Sequence, residues 1–440
     1  MKTFKKRWFI SFGIIAVFSM FALFYPETEG LFSAEDPQIN PADVAWLITA
    51  SLLVLLMTPG VSFFYGGMVK AKNVISTMLQ SFIAMGIISV LWIAVGFSLT
   101  FGEDIGGIIG NPATFFMFDN VGVSTHELLA PTIPLALFAL FQMKFAILTP
   151  ALITGSFAER VRFSSYIIFM LLFSIFVYAP LAHCTWHPDG LFKQMGVVDF
   201  AGGIVVHASC GVAALAGAIF LGKRNQNGTH RPANIPFVLL GTALLWVGWF
   251  GFNAGSALAA DGVAVKAFLN TNTASAIAML TWLFLDGLRG HKMSAMGAAV
   301  GAIAGLVGIT PSAGYVTLGE SIFIGFITSV VCNIAVYWKN KSSLDDALDV
   351  FPTHGIGGIL GTILTGVFVD GLLDGNVKIF FNHVLAVAIV AVYTFAISYL
   401  LYWVTNKIVK MRVSPESELI GLDRSQHNEQ YGNDLDVADL

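Results

Sequence analysis

Two stretches decide how this chain folds: Asp199-Phe200-Ala201-Gly202-Gly203-Ile204-Val205-Val206-His207 and Asp349-Val350-Phe351-Pro352-Thr353-His354-Gly355. In each, an aspartate precedes a histidine that lies in apolar sequence. Ionisable side chains at membrane depth are costly and mark substrate or proton pathways. A lone buried histidine is read as a core residue bonded to a neighbouring helix, whereas two at matching places point to a path. Each aspartate stands where a helix begins, so Asp199 and Asp349 are read first as N-caps that satisfy orphan N–H groups. Direct ligand contact is the alternative for Asp199.

Outward from these stretches the chain is almost continuously apolar. Of its 440 residues 56% are hydrophobic and 11% charged, against about 25% charged in a soluble domain. That predicts an all-α polytopic membrane protein. After Pro41 eleven spans are expected, at 43–69, 73–101, 131–158, 163–183, 199–222, 235–259, 262–288, 294–311, 316–338, 349–370 and 383–408. Most hold the roughly 20 apolar residues a bilayer requires. The short 294–311 span is rich in Gly and Ala, which suits a helix packed tightly among others.

Basic residues set the orientation. Lys70, Lys72, Arg160, Arg162, Lys223, Arg224, Arg231, Arg289, Lys292, Lys339 and Lys341 fall in one set of loops, and only Lys193, Lys266 and Lys378 in the other. The first set is expected inside, with the first span starting outside and the tail 409–440 in the cytoplasm. Glu416, Glu418, Asp423, Glu429, Asp434, Asp436 and Asp439 make that tail read as a solvated appendage.

At the other end, Met1-Lys2-Thr3-Phe4-Lys5-Lys6-Arg7 precedes an apolar run from Trp8 to Phe24. Residues 1–30 have the form of a secretory signal peptide, with an uncleaved extra helix as the alternative. A net charge of −4 gives no support for nucleic-acid binding. Cys184, Cys210 and Cys332 share no short spacing, so neither a disulfide framework nor a metal motif is read, and no cofactor is expected.

The two Asp…His segments fall on the fifth and tenth spans, which start on opposite sides of the membrane. Two five-helix halves of opposite topology are the form of an inverted repeat, with the substrate path at its interface. His207 lies eight residues past Asp199, about 12 Å along a helix, close to half of a ~30 Å hydrocarbon core. His354 lies five past Asp349, about 7–8 Å by the same rise. The two can meet near the midplane.

Several ordered motifs accompany them: Thr58-Pro59-Gly60 with Phe64-Tyr65-Gly66-Gly67, Phe141-Gln142 with Phe145-Ala146, Phe157-Ala158-Glu159-Arg160, Gly248-Trp249-Phe250-Gly251-Phe252-Asn253-Ala254-Gly255-Ser256, Gly305-Leu306-Val307-Gly308-Ile309-Thr310-Pro311 and Gly421-Leu422-Asp423. From about residue 43 to residue 432 the chain resembles the ammonium transporters of the Amt/Mep/Rh family, on the Amt branch of prokaryotes. The resemblance implies a multi-pass protein of the plasma (inner) membrane, a homotrimer with a pore in each subunit, and no enzymatic activity. It also implies roles. Phe141, Trp186 and Ser256 resemble an outer ammonium recruitment site supported by Asp199. Phe145 and Phe252 resemble a stacked phenyl gate, and His207 and His354 the twin-His pair of the pore. A PII-type regulatory protein is a possible inside partner, with Arg160, Lys223, Arg224 and Asp423 on the surface it would use. Lys144, between the two phenylalanines, would repel a cation and is expected to point away from the path.

The chemistry is intelligible without the resemblance. Bare ammonium is costly to bury, and each aromatic face returns only about 0.5–2 kcal/mol. A cage of rings with one accepting hydroxyl collects the ion at a wet mouth but cannot carry it across. Ammonia formed by deprotonation can pass an apolar constriction, and two imidazoles can hydrogen-bond it and hold or relay the proton. Potassium has no proton to surrender. Two other classes fit less of the sequence. One is an ammonium sensor acting through a partner. The other is a haem enzyme using both histidines as axial ligands, for which no attachment motif exists.

Overall fold

The computed structural model describes residues 6–24, 36–225 and 231–432. Helices α1 (Lys6–Phe24), α2 (Pro41–Met68), α3 (Ala71–Phe101), α4 (Leu135–Phe157) and α5 (163–186) are followed by α6 (Gly203–Leu221), α7 (Ile235–Gly255) and α8 (Gly262–Leu288). Then come α9 (Ala295–Ile309), α10 (Leu318–Lys341), α11 (351–368), α12 (Val377–Ile408) and the short α13 (Pro415–Ile420). Among the described residues ten of these are long and apolar enough to cross a membrane, and α9 is a shorter apolar helix of 15 residues. All eleven expected spans therefore have a helix. Residues 25–30, where a leader would be cut, lie outside the described residues, as do Asp434, Asp436 and Asp439.

Side-chain caps fix several starts. Asn40 accepts from Ala42 N, Asn234 from Phe237 N, and Thr317 with Glu320 forms a capping box on α10. Each such cap is worth about 1 kcal/mol. The helices are apolar all round, as expected where one face meets other helices and another meets lipid. Helix α2 lies along α7, and α9 packs between α8 and α10. The 102–130 loop carries a two-stranded hairpin (Asp104–Ile105 with Ile109–Gly110) and is tied to α5 by Asp104, 2.9 Å from His183. That hydrogen bond holds the Asp104 carboxyl below its ordinary range.

Two boundaries differ from the sequence expectation for a physical reason. Helix α6 begins at Gly203, not Asp199, and α11 at Phe351, not Asp349. Both open with a π-helical turn, Gly203–Ala208 and Phe351–Gly355, and each turn contains the histidine. Wide turns of this kind recur at functional sites. The two helices cross at glycines: a Cβ on Gly211 would lie 2.1 Å from Gly355 N and 2.2 Å from its Cα. No larger residue fits that crossing, and it brings the two π turns together.

Nor is the tail a solvated appendage. Met411 and Leu422 are fully buried. The Asp423 carboxylate accepts from Ile75 N at 3.0 Å and Ser76 N at 2.7 Å, and Leu422 N donates to Asn73 Oδ1. Arg412 pairs with buried Glu418 at 2.9 Å, and Glu418 also accepts from Asn225 N. Up to Gly432 the tail is part of the packed end of the bundle.

Candidate functional site

The loop entering α6 is anchored by one carboxylate. Gly202 takes the left-handed conformation (φ +116°), which wraps the backbone around Asp199. Asp199 Oδ1 accepts from Gly202 N at 2.8 Å and Gly203 N at 2.6 Å, and Oδ2 from Ile204 N at 2.8 Å and Val205 N at 3.2 Å. Four helix-terminal N–H groups are satisfied by one side chain that is 7% exposed. The capping role expected of Asp199 is present in full. Its backbone carbonyl accepts from Trp186 Nε1 at 3.0 Å, which fixes that indole at the same end. His383 on α12 completes the anchor, since its Nε2 accepts from Val198 N at 2.9 Å while Nδ1 donates to Ile379 O.

Asp349 does not cap α11. The Phe351 N–H is taken by Asp346 Oδ2 at 2.7 Å, and Asp349, in the left-handed region at φ +59°, pairs instead with Lys339 at 2.6 Å. The reason is geometric: an aspartate three residues earlier reaches the helix end, and Asp349 meets the lysine instead.

From these anchors a line of rings runs inward. A cavity of about 230 Å³ is lined by Trp186, Asp199, Ser256, Gln142, Phe200 and Tyr315 among others. Trp186 is edge-on to Phe145 (5.8 Å between centroids), and Phe145 stacks on Phe252 at 4.3 Å and 30°. Phe252 is 5.8 Å from His207, whose Nδ1 lies 3.2 Å from His354 Nδ1. Beyond His354 a small cavity of about 10 Å³ is lined by Tyr65, Trp249, Leu148 and Ile303. Phe145, Phe252 and His207 are at most 1% exposed, so the rings close the line between the two cavities.

The structure thus gathers Trp186, Ser256, Phe145, Phe252, His207 and His354 into one line. Phe141 is different: it is fully buried, edge-on to Phe145 at 5.0 Å, and stands behind the ring rather than on the cavity wall, where Gln142 is found. The Ser256 hydroxyl donates to Phe252 O at 2.8 Å, so on this cavity wall it has only its acceptor lone pairs left to offer. Lys144 is half-buried and not on either cavity wall; its Nζ lies 3.9 Å from Met143 Sδ. Two contributors had no assigned role in the sequence. Trp249 stacks on His207 (5.1 Å, 17°) and donates to Thr310, which holds the imidazole in plane. His383 positions the Asp199 loop. Trp249 lies in a quoted motif, but nothing local to residue 383 signals a partner 185 positions away.

At the opposite end charged groups are dense. Arg224 bridges Glu159 (2.9 Å) and Asp345 (2.8 Å), and buried Arg160 donates to the carbonyls of Ser156 and Asp345. Burial draws Arg160 down to about 10, so it stays charged at neutral pH. Of the four residues expected on a partner-binding surface only Lys223 is exposed; Arg160 and Asp423 are buried, and Arg224 is committed to its two carboxylates.

The model of the Ammonium Transporter Family matches residues 45–431. A putative ammonium transporter of Methanothermobacter thermautotrophicus is 44% identical over 403 residues, covering 89% of this chain and 98% of that protein. The ammonium transporter of Bacillus subtilis is 44% identical over 402 residues, with the same coverage of each chain. Among solved structures, Saccharomyces cerevisiae Mep2 superposes with a TM-score of 0.80 at 32% identity, over 86% of this chain and 89% of that one. A sensor Amt protein does so at 0.80 and 31%, over 88% and 98%.

Proposed function

Because the chain belongs to the ammonium transporter family, we propose that the line from Trp186 to His354 is the path its substrate takes. The protein is a multi-pass membrane transporter of the plasma membrane, not an enzyme. Ammonium is held in the outer cavity by the Trp186 face and the Ser256 lone pairs, with the edge of Phe141 behind. Asp199 acts at one remove. It is spent on four N–H groups and keeps the cavity wall in shape, while its charge favours a cation nearby.

Ammonium then gives up a proton, and ammonia passes when the Phe145–Phe252 stack opens. The observation that carries this reading is the Nδ1–Nδ1 contact of His207 and His354 at 3.2 Å, with His207 Nε2 buried and unpartnered. A neutral imidazole pair in that contact has one donor and one acceptor facing each other, and the remaining nitrogens are available to a molecule with both lone pair and N–H. Cytoplasmic loops carry an excess of Lys and Arg, which supports an orientation with the Arg160–Arg224 end inside the cell and the Trp186 cavity outside, with uptake running from cavity to tail.

Proteoliposomes given an ammonium jump, with potassium as control, test the path. Wild type should show an ammonium current, or an internal pH change without current if only ammonia crosses, and no potassium current. The His207→Ala/His354→Ala pair should lose the ammonium signal or its selectivity; unaltered selective flux would remove both histidines from the path.

The chain is proposed to assemble as a homotrimer with a path in each subunit, and a PII-type protein is proposed to dock on the inner end. Of the four residues expected on that surface Lys223 is the exposed one, so Lys223→Glu should lower recovery of a PII protein with the transporter from nitrogen-replete membranes. Equal recovery would move the docking site elsewhere.

A further inference from the structure

Cys210 stands one helical turn after His207, on the same face of α6. Its Sγ, one nitrogen of His207 and one of His354 all lie within 4.8 Å of one another, and all three residues are buried. Cys210 is a free thiol, bonded only weakly to the His207 carbonyl at 3.4 Å. No sequence spacing announces this trio, because His354 arrives from another helix. We propose that His207, Cys210 and His354 form a binding site for a soft monovalent metal ion, Cu(I) or Ag(I), and that the bound ion plugs the path.

The donor set selects the metal. Thiolate and imidazole suit soft ions, while potassium and sodium want oxygen. Charge selects the valence. On binding, the thiol proton leaves to water, the sulfur–metal bond forms, and each neutral imidazole contributes its one lone pair. A thiolate with a monovalent cation is neutral, whereas with Zn²⁺ the site keeps an unpaired positive charge in an apolar interior, which is expensive. No electron is transferred. Donors around one ion sit roughly 3.5–4 Å apart, given metal–sulfur and metal–nitrogen bonds of about 2.0–2.3 Å. With the donor atoms already within 4.8 Å of one another, the sulfur has at most about 1 Å to move, within reach of a Cys210 side-chain rotation. Soft ions also bind aromatic faces, so the ring stack is a smaller barrier to them than to hydrated cations.

The plug, though not the ligation, rests on the path proposed above, and the two can be tested apart. Silver nitrate is added in chloride-free buffer to proteoliposomes of the Cys184→Ser/Cys332→Ser protein. Retained silver, ammonia flux and the silver X-ray absorption spectrum are measured. About one silver per chain should survive desalting, with one sulfur and two nitrogens around it. Flux should fall roughly tenfold or more, a loss equivalent to closing nine paths in ten, and return when a competing thiol strips the metal. Adding Cys210→Ser should abolish both retention and block while leaving flux without silver intact. Silver retained by that variant, a shell without nitrogen, or bound silver with undiminished flux overturns the proposal. If Cys210→Ser fails to fold, the absorption spectrum of the parent protein still decides the ligands. Absent flux before any silver is added would speak against the path reading instead.

Discussion

The most consequential side chain at the scale of single residues is Asp199. Four backbone N–H groups end on its two oxygens within an almost closed site. A buried donor left unpaired costs about 1–3 kcal/mol, so losing four at once exceeds what one local contact usually contributes. Asp199→Ala should abolish ammonium flux and lower the melting temperature. Asp199→Asn, with one accepting oxygen, should keep part of the cap and stand between them. Wild-type flux and melting in the alanine variant, measured together, would show that neither cap nor charge is needed. The role of this residue was readable from its type and place. That Phe141 turns its edge to Phe145 while Gln142 meets the cavity was not, because periodicity puts Phe141 and Phe145 on one face without saying which of them a third helix will cover.

At the scale of elements, the histidines meet because α6 and α11 approach to backbone contact. The methyl group of an alanine at 211 would have to occupy space held by Gly355 N and Cα, and backbone cannot swing aside as a side chain can. Gly211→Ala should therefore push the two π turns apart, cut transport sharply and reduce the yield of folded protein. Normal flux from that variant would mean the crossing is looser than the contact implies. In sequence Gly211 is indistinguishable from the other small residues that let membrane helices approach. Sequence puts the starts of α6 and α11 a few residues early, because an aspartate before an apolar run signals an N-cap. Asp199 caps from several residues upstream through a left-handed glycine, and Asp346 supplanted Asp349. Both outcomes depend on how the chain turns before the helix, which hydropathy does not record.

For the whole molecule, the end that carries Arg160, Arg224 and Asp423 is a single network of tail, loops and helix ends. Asp346 is part of it, with no exposure. Burial, and after it the neighbouring Asp349 carboxylate, raise its carboxyl to about 6, against the opposing pull of Lys339. The folded protein therefore holds this proton where the unfolded chain, near the ordinary value of 3.8, has released it. Stability falls as pH rises across that window and levels off above about 6. Melting curves of detergent-solubilised protein between pH 4 and 7 should show a decline attributable to this group. Asp346→Asn, which keeps an acceptor for Phe351 N, should flatten it. An identical pH profile in the variant would assign the decline to other carboxylates.

What the sequence determined by itself was the family, the rough extent of the apolar helices, and the identity of most side chains that the structure gathers between the two cavities. Those follow from hydropathy, charge and motif, which accumulate along the chain and survive errors of a few positions. Only the tertiary structure decided which imidazole nitrogens face each other across 147 positions, that Cys210 joins them, that His383 and Trp249 hold the site in shape, and that the tail as far as Gly432 is folded against the helix ends. These are contacts between segments remote in sequence. They are fixed by how closely two backbones can approach and by which buried donor finds an acceptor, and neither is written in any local stretch of residues.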